Sequence, residues 1–113
     1  MIKLTIWAVR KRGLSHAEFD TYWRERHGPL LRSVTEFSRH VRRYVQCHGI
    51  DAGPAFGQAS EFDGIAELWF DDVDSMNRAF AEPRYLEVIR PDELAFVDIE
   101  RCIAYVSEEL CVI

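Results

Sequence analysis

The residues best suited to proton chemistry lie in one short stretch, where an aromatic pair precedes a histidine and a Gly-Pro dipeptide. Tyr22 and Trp23 are followed by His27, with Gly28 and Pro29 directly after the imidazole. Because glycine frees the backbone and proline cannot donate to the helical ladder, this pattern predicts a helix that ends with His27 at its terminus. Histidine is easily tuned for proton transfer near neutral pH, so His27 is a candidate general base or acid. The alternative is that His27 caps carbonyl groups or packs beside Trp23.

A carboxylate in the middle of an apolar strand is the second candidate. Glu67 shares one strand face with Ile65 and Trp69 by the alternation of the pattern. This position predicts burial, which raises the pKa of a carboxyl group that has no partner. Glu67 is then either a general acid or base, or half of a structural ion pair. The cations that could pair with it are Lys3, Arg42, Arg43 and Arg101.

Two aspartates and several aromatic residues complete the set of candidates. Asp63 starts the strand that carries Glu67 and is a candidate catalytic residue, although turn chemistry alone also explains an Asp-Gly pair. Asp92 follows a proline and either caps a short helix or contacts substrate. Aromatic side chains can line an apolar pocket and place a polar group in it, and core packing is the alternative. The candidate substrate-binding residues are Trp7, Trp23, Tyr44 and Asp92.

The composition is typical of a folded protein without a nucleic-acid or membrane partner. Of the 113 residues, 48% are hydrophobic and 29% are charged, and a single domain covering residues 1–113 is expected. The net charge of −5 gives no electrostatic reason to bind nucleic acid. Since no apolar run approaches membrane-spanning length and the first residues lack a signal-peptide pattern, membrane association is not expected.

The cysteines and histidines form no recognisable metal or disulfide pattern. Cys47, Cys102 and Cys111 are odd in number and widely separated, which favours reduced thiols and a cytoplasmic location. No His-x-His or clustered Cys and Asp set appears, so no metal site is expected. There is also no glycine-rich phosphate loop between a strand and a helix. The polar residues therefore predict acid-base chemistry on a small-molecule substrate without a cofactor.

Hydrophobic periodicity predicts the elements that position these residues. Alternation over residues 2–9 predicts a first strand, and Ser15 with Glu18 forms a capping box at the start of a helix. The order strand, helix, strand, loop, strand, helix, strand predicts an α+β, ferredoxin-like (βαβ)2 fold with a four-stranded antiparallel sheet. The remaining predicted elements are strands over residues 40–48, 63–70 and 99–107, a helix from Asp71 or Asp72 to Phe80, and short helical turns after Pro83 and Pro91.

The face of this sheet that the helices leave open is also expected to be covered. Helices can cover one face only, whereas the strands place apolar residues such as Trp7 and Trp69 so that both faces are partly apolar. A large apolar face is rarely left to water. Face-to-face pairing of two sheets into a shared α/β barrel covers it, so a homodimer is expected.

These motifs together resemble the EthD family, which belongs to the dimeric α/β-barrel superfamily of ferredoxin-like subunits. On this resemblance, His27 falls on the family's histidine and Glu67 on its strand carboxylate. The resemblance implies chemistry of the kind carried out by cofactor-free dehydratases and decarboxylases of aromatic polyketides, or by the more distant isomerases and quinone-forming monooxygenases. The matching segments are residues 10–15, Phe19, Tyr22-Trp23, residues 27–30, residues 63–71, Asp92-Glu93 and residues 96–98.

Two classes of function follow from these observations. The first is a cofactor-independent lyase or isomerase (a dehydratase, decarboxylase or isomerase) acting on a small cyclic or aromatic metabolite, with His27 as base or acid and Glu67 or Asp63 as its partner. Within the enzyme class, the alternative is a cofactor-free monooxygenase of phenolic substrates, which would consume dioxygen. The second class is a non-catalytic accessory or binding dimer in a catabolic pathway. A cavity that reaches His27 favours the enzyme, and a packed core around it favours the binding protein.

Overall fold

A four-stranded antiparallel sheet carries helices on one of its faces in the computed structural model, which describes all residues 1–113. The strand order is β2-β3-β1-β4, so the first strand lies between the third and the fourth. This is the strand order of a doubled βαβ unit, and the predicted α+β, ferredoxin-like fold is confirmed. The strands are β1 (Ile2–Ala8), β2 (Arg43–His48), β3 (Gly64–Phe70) and β4 (Ile103–Glu108).

Two of the helices begin at capping residues that the sequence predicted. The Ser15 hydroxyl accepts a hydrogen bond from the Glu18 amide while the Glu18 carboxylate accepts one from the Ser15 amide. Asp72 caps the helix of the second half by accepting from the Ser75 amide. The helical elements are α1 (His16–Tyr22), a first π turn (Trp23–His27), α2 (Gly28–Ser33), α3 (Thr35–Ser38), α4 (Val73–Ala81), a second π turn (Tyr85–Ile89), α5 (Arg90–Phe96) and a 3-10 turn (Ile99–Arg101).

The prediction that the Gly-Pro dipeptide ends the first helix is wrong. Gly28 has helical dihedral angles and Pro29 lies in the first turn of α2, so the helical path continues through both residues. Proline has no N–H and its ring clashes with the carbonyl group four residues earlier. The turn before it widens instead, and the Gly28 amide donates to the carbonyl group of Trp23, five residues back. His27 is therefore the last residue of a π turn inside a continuous helical path.

Two apolar clusters join the helices to the sheet. The larger contains Leu4, Leu68 and Phe70 from the sheet, packed against side chains of the helices such as Phe37 and Tyr85. The smaller cluster lies at the other end of β1 and contains Ala8, Phe19, Trp23 and Phe96. We call the face that these strand residues share the inner face.

The opposite face, which we call the outer face, carries no helix. The strand register places Lys3, Trp7 and Glu67 on it, together with residues of β4. Ile103 and Tyr105 of β4 are 54% and 61% exposed there. No helix of the structure is long and apolar enough to cross a bilayer.

Candidate active site

A cavity of about 320 Å³ lies between the inner face and the helices. Its lining is largely apolar, with side chains such as Ile6 and Phe96 among many others. The size and apolar lining are typical of a pocket that encloses a small organic molecule. The polar groups at this cavity belong to His27, Tyr44, Tyr85, Arg90 and Glu93.

His27 forms a dyad with Asp92 at the wall of this cavity. The Nδ1 atom of His27 lies 2.8 Å from Oδ2 of Asp92, and the Tyr22 hydroxyl donates to Oδ1 of the same carboxylate at 2.5 Å. Since a carboxylate accepts hydrogen bonds, it holds the proton of the neutral imidazole on Nδ1 and leaves Nε2 as the basic atom. Nε2 makes no hydrogen bond within the protein. Every side-chain nitrogen or oxygen that is fully buried has a hydrogen-bond partner, so Nε2 is not fully buried. Since His27 lines the cavity, we infer that Nε2 is open to it.

Burial keeps His27 neutral and therefore basic. The residue is only 5% exposed, and its ring packs 4.9 Å from the ring of Phe96 between centroids. This desolvation lowers the pKa of His27 below the usual 6.5, while the hydrogen bond to Asp92 opposes the shift. The arrangement provides an oriented, basic imidazole at the wall of an apolar cavity.

The position of Trp23 depends on a glycine at the start of β3. A Cβ atom on Gly64 would lie 2.5 Å from Cζ3 of Trp23 and 2.7 Å from the carbonyl oxygen of Cys47. Without that atom, the Trp23 indole reaches the strand, and its Nε1 donates to the Tyr44 hydroxyl at 3.1 Å. Both Trp23 and Tyr44 line the cavity.

Glu93 is a second titratable group at the cavity. The Tyr85 hydroxyl donates to its Oε1 at 2.7 Å, and Nε of Arg90 lies 3.4 Å from the same oxygen. Burial raises the pKa of Glu93 above its usual 4.5, and the hydrogen bond from Tyr85 and the charge of Arg90 oppose that shift. Glu93 is therefore a carboxyl group whose environment favours proton uptake.

Glu67 does not border this cavity, which corrects the expectation that it shares a site with His27. It lies on the outer face, where Nζ of Lys3 donates to its Oε2 at 2.8 Å and the Cys47 thiol to its Oε1 at 3.4 Å. Its side chain is 22% exposed, and the hydrogen bond from Lys3 lowers the pKa of Glu67 instead of raising it. Of the two alternatives for Glu67, this geometry matches the ion pair.

Asp63 is also separate from the cavity. Its carboxylate accepts from the Arg10 amide at 2.8 Å and guanidinium at 2.7 Å, and it contacts Nδ1 of His16 at 2.9 Å. Burial alone would raise the pKa of Asp63, but these hydrogen bonds together lower it. Asp63 thus joins the end of β1 to the start of α1. Trp7 lies on the outer face and likewise does not line the cavity.

Three residues of the candidate site received another role or none from the sequence. Asp92 was expected to cap a short helix or contact substrate, but it lies inside the first turn of α5 and binds His27 and Tyr22. Glu93 received no role, and Tyr22 was treated only as part of the aromatic pair. A helical wheel of α5 would have placed Glu93 and Phe96 three residues apart on one face, which is the available signal.

The comparisons with known proteins agree with this architecture. The family model "EthD domain" matches residues 11–100. A protein named "Conidial pigment biosynthesis dehydratase EthD" from Metarhizium robertsii is 30% identical over 110 residues, covering 89% of this chain and 77% of that protein. "Dehydratase aurZ" from Gibberella zeae is 29% identical over 110 residues, covering 89% and 72%.

A solved structure has the same fold. The crystal structure of an EthD family protein from Bacillus halodurans superimposes with a TM-score of 0.71 and 22% sequence identity, covering 97% of this chain and 99% of that one. The match to the family model extends from the turn before α1 through the dyad of His27 and Asp92. The chain therefore belongs to the EthD family.

Proposed function

We propose that the protein is a cofactor-independent dehydratase that removes water from a small cyclic or aromatic alcohol. The observation that carries this proposal is the dyad of His27 and Asp92, whose free Nε2 atom faces an apolar cavity of about 320 Å³. A cavity of this size accommodates a bicyclic skeleton. The two fungal relatives support the choice of dehydration among the acid-base reactions, because both are named dehydratases.

The elimination needs one group that takes up a proton and returns it. Nε2 of His27 removes a proton from the carbon next to the one bearing the hydroxyl group, and the C–H electron pair forms the new double bond. The C–O bond breaks, and the departing hydroxide takes the proton from the imidazolium, so that water leaves and His27 is neutral again. The carboxylate of Asp92 stabilises the intermediate imidazolium across the 2.8 Å contact.

We also propose that the functional unit is a homodimer formed through the outer faces of two sheets. The support is the set of apolar side chains on that face, including Ile103 and Tyr105, which are more than half exposed in one subunit. In such a dimer the cavity of each subunit lies on the inner face, away from the partner, except that Ile103 at the start of β4 also borders it.

The experiment uses two bicyclic alcohols that differ in one oxygen atom. 3-hydroxy-1-tetralone carries a carbonyl group, 2-tetralol has the same skeleton without it, and mass spectrometry detects the loss of one water from either. We expect wild-type protein to dehydrate at least one of them without consuming dioxygen. His27→Gln should lower turnover by about a hundredfold to ten-thousandfold, the usual contribution of a general base.

Glu67→Gln is the matched control, because it also replaces a titratable group but lies outside the cavity. It should retain wild-type turnover per folded molecule. Equal turnover by wild type and His27→Gln would contradict the proposal, and so would a requirement for dioxygen.

A further inference from the structure

The hydroxyl group of Tyr44 has an unusual set of partners. Nε1 of Trp23 lies 3.1 Å from its oxygen and Nε2 of Gln46 lies 3.0 Å from it. The indole nitrogen can only donate a hydrogen bond. The direction of the second hydrogen bond depends on how the Gln46 amide is oriented.

The surroundings of Gln46 determine that orientation. The end of the amide that faces Tyr44 also lies 3.0 Å from the carbonyl oxygen of Trp23, which can only accept, so this end is the NH2 group. The other end, Oε1, accepts from Nε2 of His48 at 2.8 Å, and Nδ1 of His48 faces the Asp20 carboxylate at 2.9 Å.

It follows that the Tyr44 oxygen accepts two hydrogen bonds while its own proton is used by neither partner. The hydroxyl group makes no other hydrogen bond within the protein. Tyr44 lines the cavity, so its O–H is free to donate into the cavity. The two N–H groups also polarise the O–H bond, because donors to a hydroxyl oxygen strengthen it as a donor in turn.

We infer that the Tyr44 hydroxyl binds a carbonyl oxygen of the substrate, and that the substrate is a β-hydroxy ketone or aldehyde. This inference rests on the proposed dehydration and defines its substrate class. The side chain is held by Trp23 and Gln46 before substrate arrives, so the donor needs no reorganisation during the reaction. Tyr85, the other hydroxyl at the cavity, instead donates to Glu93.

A carbonyl group at this position changes the course of the elimination. When His27 removes the proton between the carbonyl carbon and the carbon bearing the hydroxyl group, the C–H electron pair moves to the carbonyl oxygen and gives an enolate. The hydrogen bond from Tyr44 stabilises that enolate oxygen. The enolate then re-forms the carbonyl group and expels hydroxide, which takes the proton from the His27 imidazolium and leaves as water.

The test measures binding of two inert probes, 1-tetralone and tetralin, which differ only in the carbonyl oxygen. Tyr44→Phe should weaken binding of 1-tetralone about threefold to tenfold, the usual effect of losing one hydrogen bond, and leave tetralin binding unchanged. The infrared carbonyl band of bound 1-tetralone should lie at lower frequency in wild type than in Tyr44→Phe. Unchanged 1-tetralone binding, or an equal loss for both probes, overturns the inference.

A second variant keeps the hydroxyl group but redirects its proton. In Gln46→Glu the carboxylate accepts where the amide donated, so the Tyr44 O–H turns towards residue 46 and away from the cavity. We expect the carbonyl band of bound 1-tetralone to move to the Tyr44→Phe position. A band at the wild-type position in this variant would also overturn the inference.

The same probes separate this inference from the proposed function. His27→Gln should keep the wild-type carbonyl band, because the base does not contact the carbonyl oxygen. If 2-tetralol is dehydrated as fast as 3-hydroxy-1-tetralone, the dehydratase stands and the carbonyl site is wrong. If neither alcohol is dehydrated but the band shifts, the carbonyl site stands and the dehydratase proposal fails.

Discussion

At the scale of single residues, the proposed function depends on the different partners of the two His27 nitrogens. Nδ1 is bound by Asp92, and Asp92 is in turn bound by the Tyr22 hydroxyl, so the imidazole has one orientation and one neutral tautomer. Desolvation lowers the pKa of His27, which keeps Nε2 unprotonated at neutral pH. In the pH profile of kcat/KM, the fall on the acid side (the acid limb) is therefore expected below pH 6.5, the usual pKa of histidine.

Replacement of Asp92 by asparagine tests the orientation directly. An asparagine amide can donate to Nδ1, which places the imidazole proton on Nε2 and removes the base from the cavity. We expect Asp92→Asn to lower kcat with 3-hydroxy-1-tetralone by about a hundredfold or more, with little change in KM. Because the carboxylate raises the pKa of His27, its removal should also move the acid limb to lower pH.

Asp98→Asn is the matched control for this variant, since the Asp98 carboxylate pairs with Arg101 and does not contact His27. It should keep both the wild-type rate and the wild-type acid limb. A rate for Asp92→Asn within a factor of about two of wild type would mean that Asp92 does not orient the base.

Residue types indicated His27 as a candidate base but did not indicate Asp92 as its partner. His27 was recognisable because histidine titrates near neutral pH and because this histidine stands directly before a Gly-Pro pair. Asp92 lies 65 residues away along the chain, and only the packing of α5 against the first π turn brings the two side chains into contact. The sequence left the face of Glu67 open, because strand alternation gives two faces without saying which one the helices cover.

At the scale of elements, both halves of the fold contain a π turn followed by a proline. Each π turn directly precedes a residue-proline pair, Gly28-Pro29 in one half and Arg90-Pro91 in the other. In both, the amide before the proline donates to a carbonyl group five residues back. The two π turns thus place the site residues His27 and Arg90 at or next to the end of a widened turn, and π turns are frequent at functional sites.

Replacement of Pro29 by alanine should restore a regular α-helix here. The new N–H can donate to the carbonyl oxygen of Glu25, four residues back, which favours an ordinary turn over a π turn. We expect Pro29→Ala to raise the melting temperature, because proline is unfavourable in a helix, and to lower turnover about tenfold, because the tighter turn rotates His27 away from Asp92.

Thermal melts and turnover measured on the same preparation check this prediction. Pro83→Ala is the control, because Pro83 lies at the start of a helical segment, where no ladder donor is needed. It should leave turnover unchanged. Wild-type turnover in Pro29→Ala would show that the π turn does not position the base.

Element types were more predictable than element ends. The capping box at Ser15 and the cap at Asp72 have local sequence signals, and both helices begin where those signals place them. The helix through Gly28 was missed because a Gly-Pro pair also ends helices, and only the tertiary contacts of α2 decide between a break and a π turn. β2 begins at Arg43 instead of His40, since residues 39–41 complete the turn after α3.

At the scale of the whole molecule, the sheet separates two kinds of surface. The inner face carries the cavity, and the outer face carries apolar side chains around the pair of Lys3 and Glu67. Trp69 is only 7% exposed on the outer face because Lys3 and Arg43 lie over its ring at 5.3 and 4.7 Å from the centroid. The β4 side of that face has no comparable cover, which makes it the part that a second subunit is expected to bury.

Substitution on β4 tests the proposed dimer with a control in the next residue. Tyr105 lies on the outer face and is 61% exposed, whereas Val106 is 44% exposed and lies on the inner face, opposite Leu4. We expect light scattering at micromolar concentration to give a dimer for wild type and for Val106→Arg, and a monomer for Tyr105→Arg, because a charge buried without a partner opposes association. A monomeric wild type would contradict the dimer, and equal dissociation by both variants would place the interface elsewhere. Since the cavity lies on the other side of the sheet, the Tyr105→Arg monomer should still bind 1-tetralone.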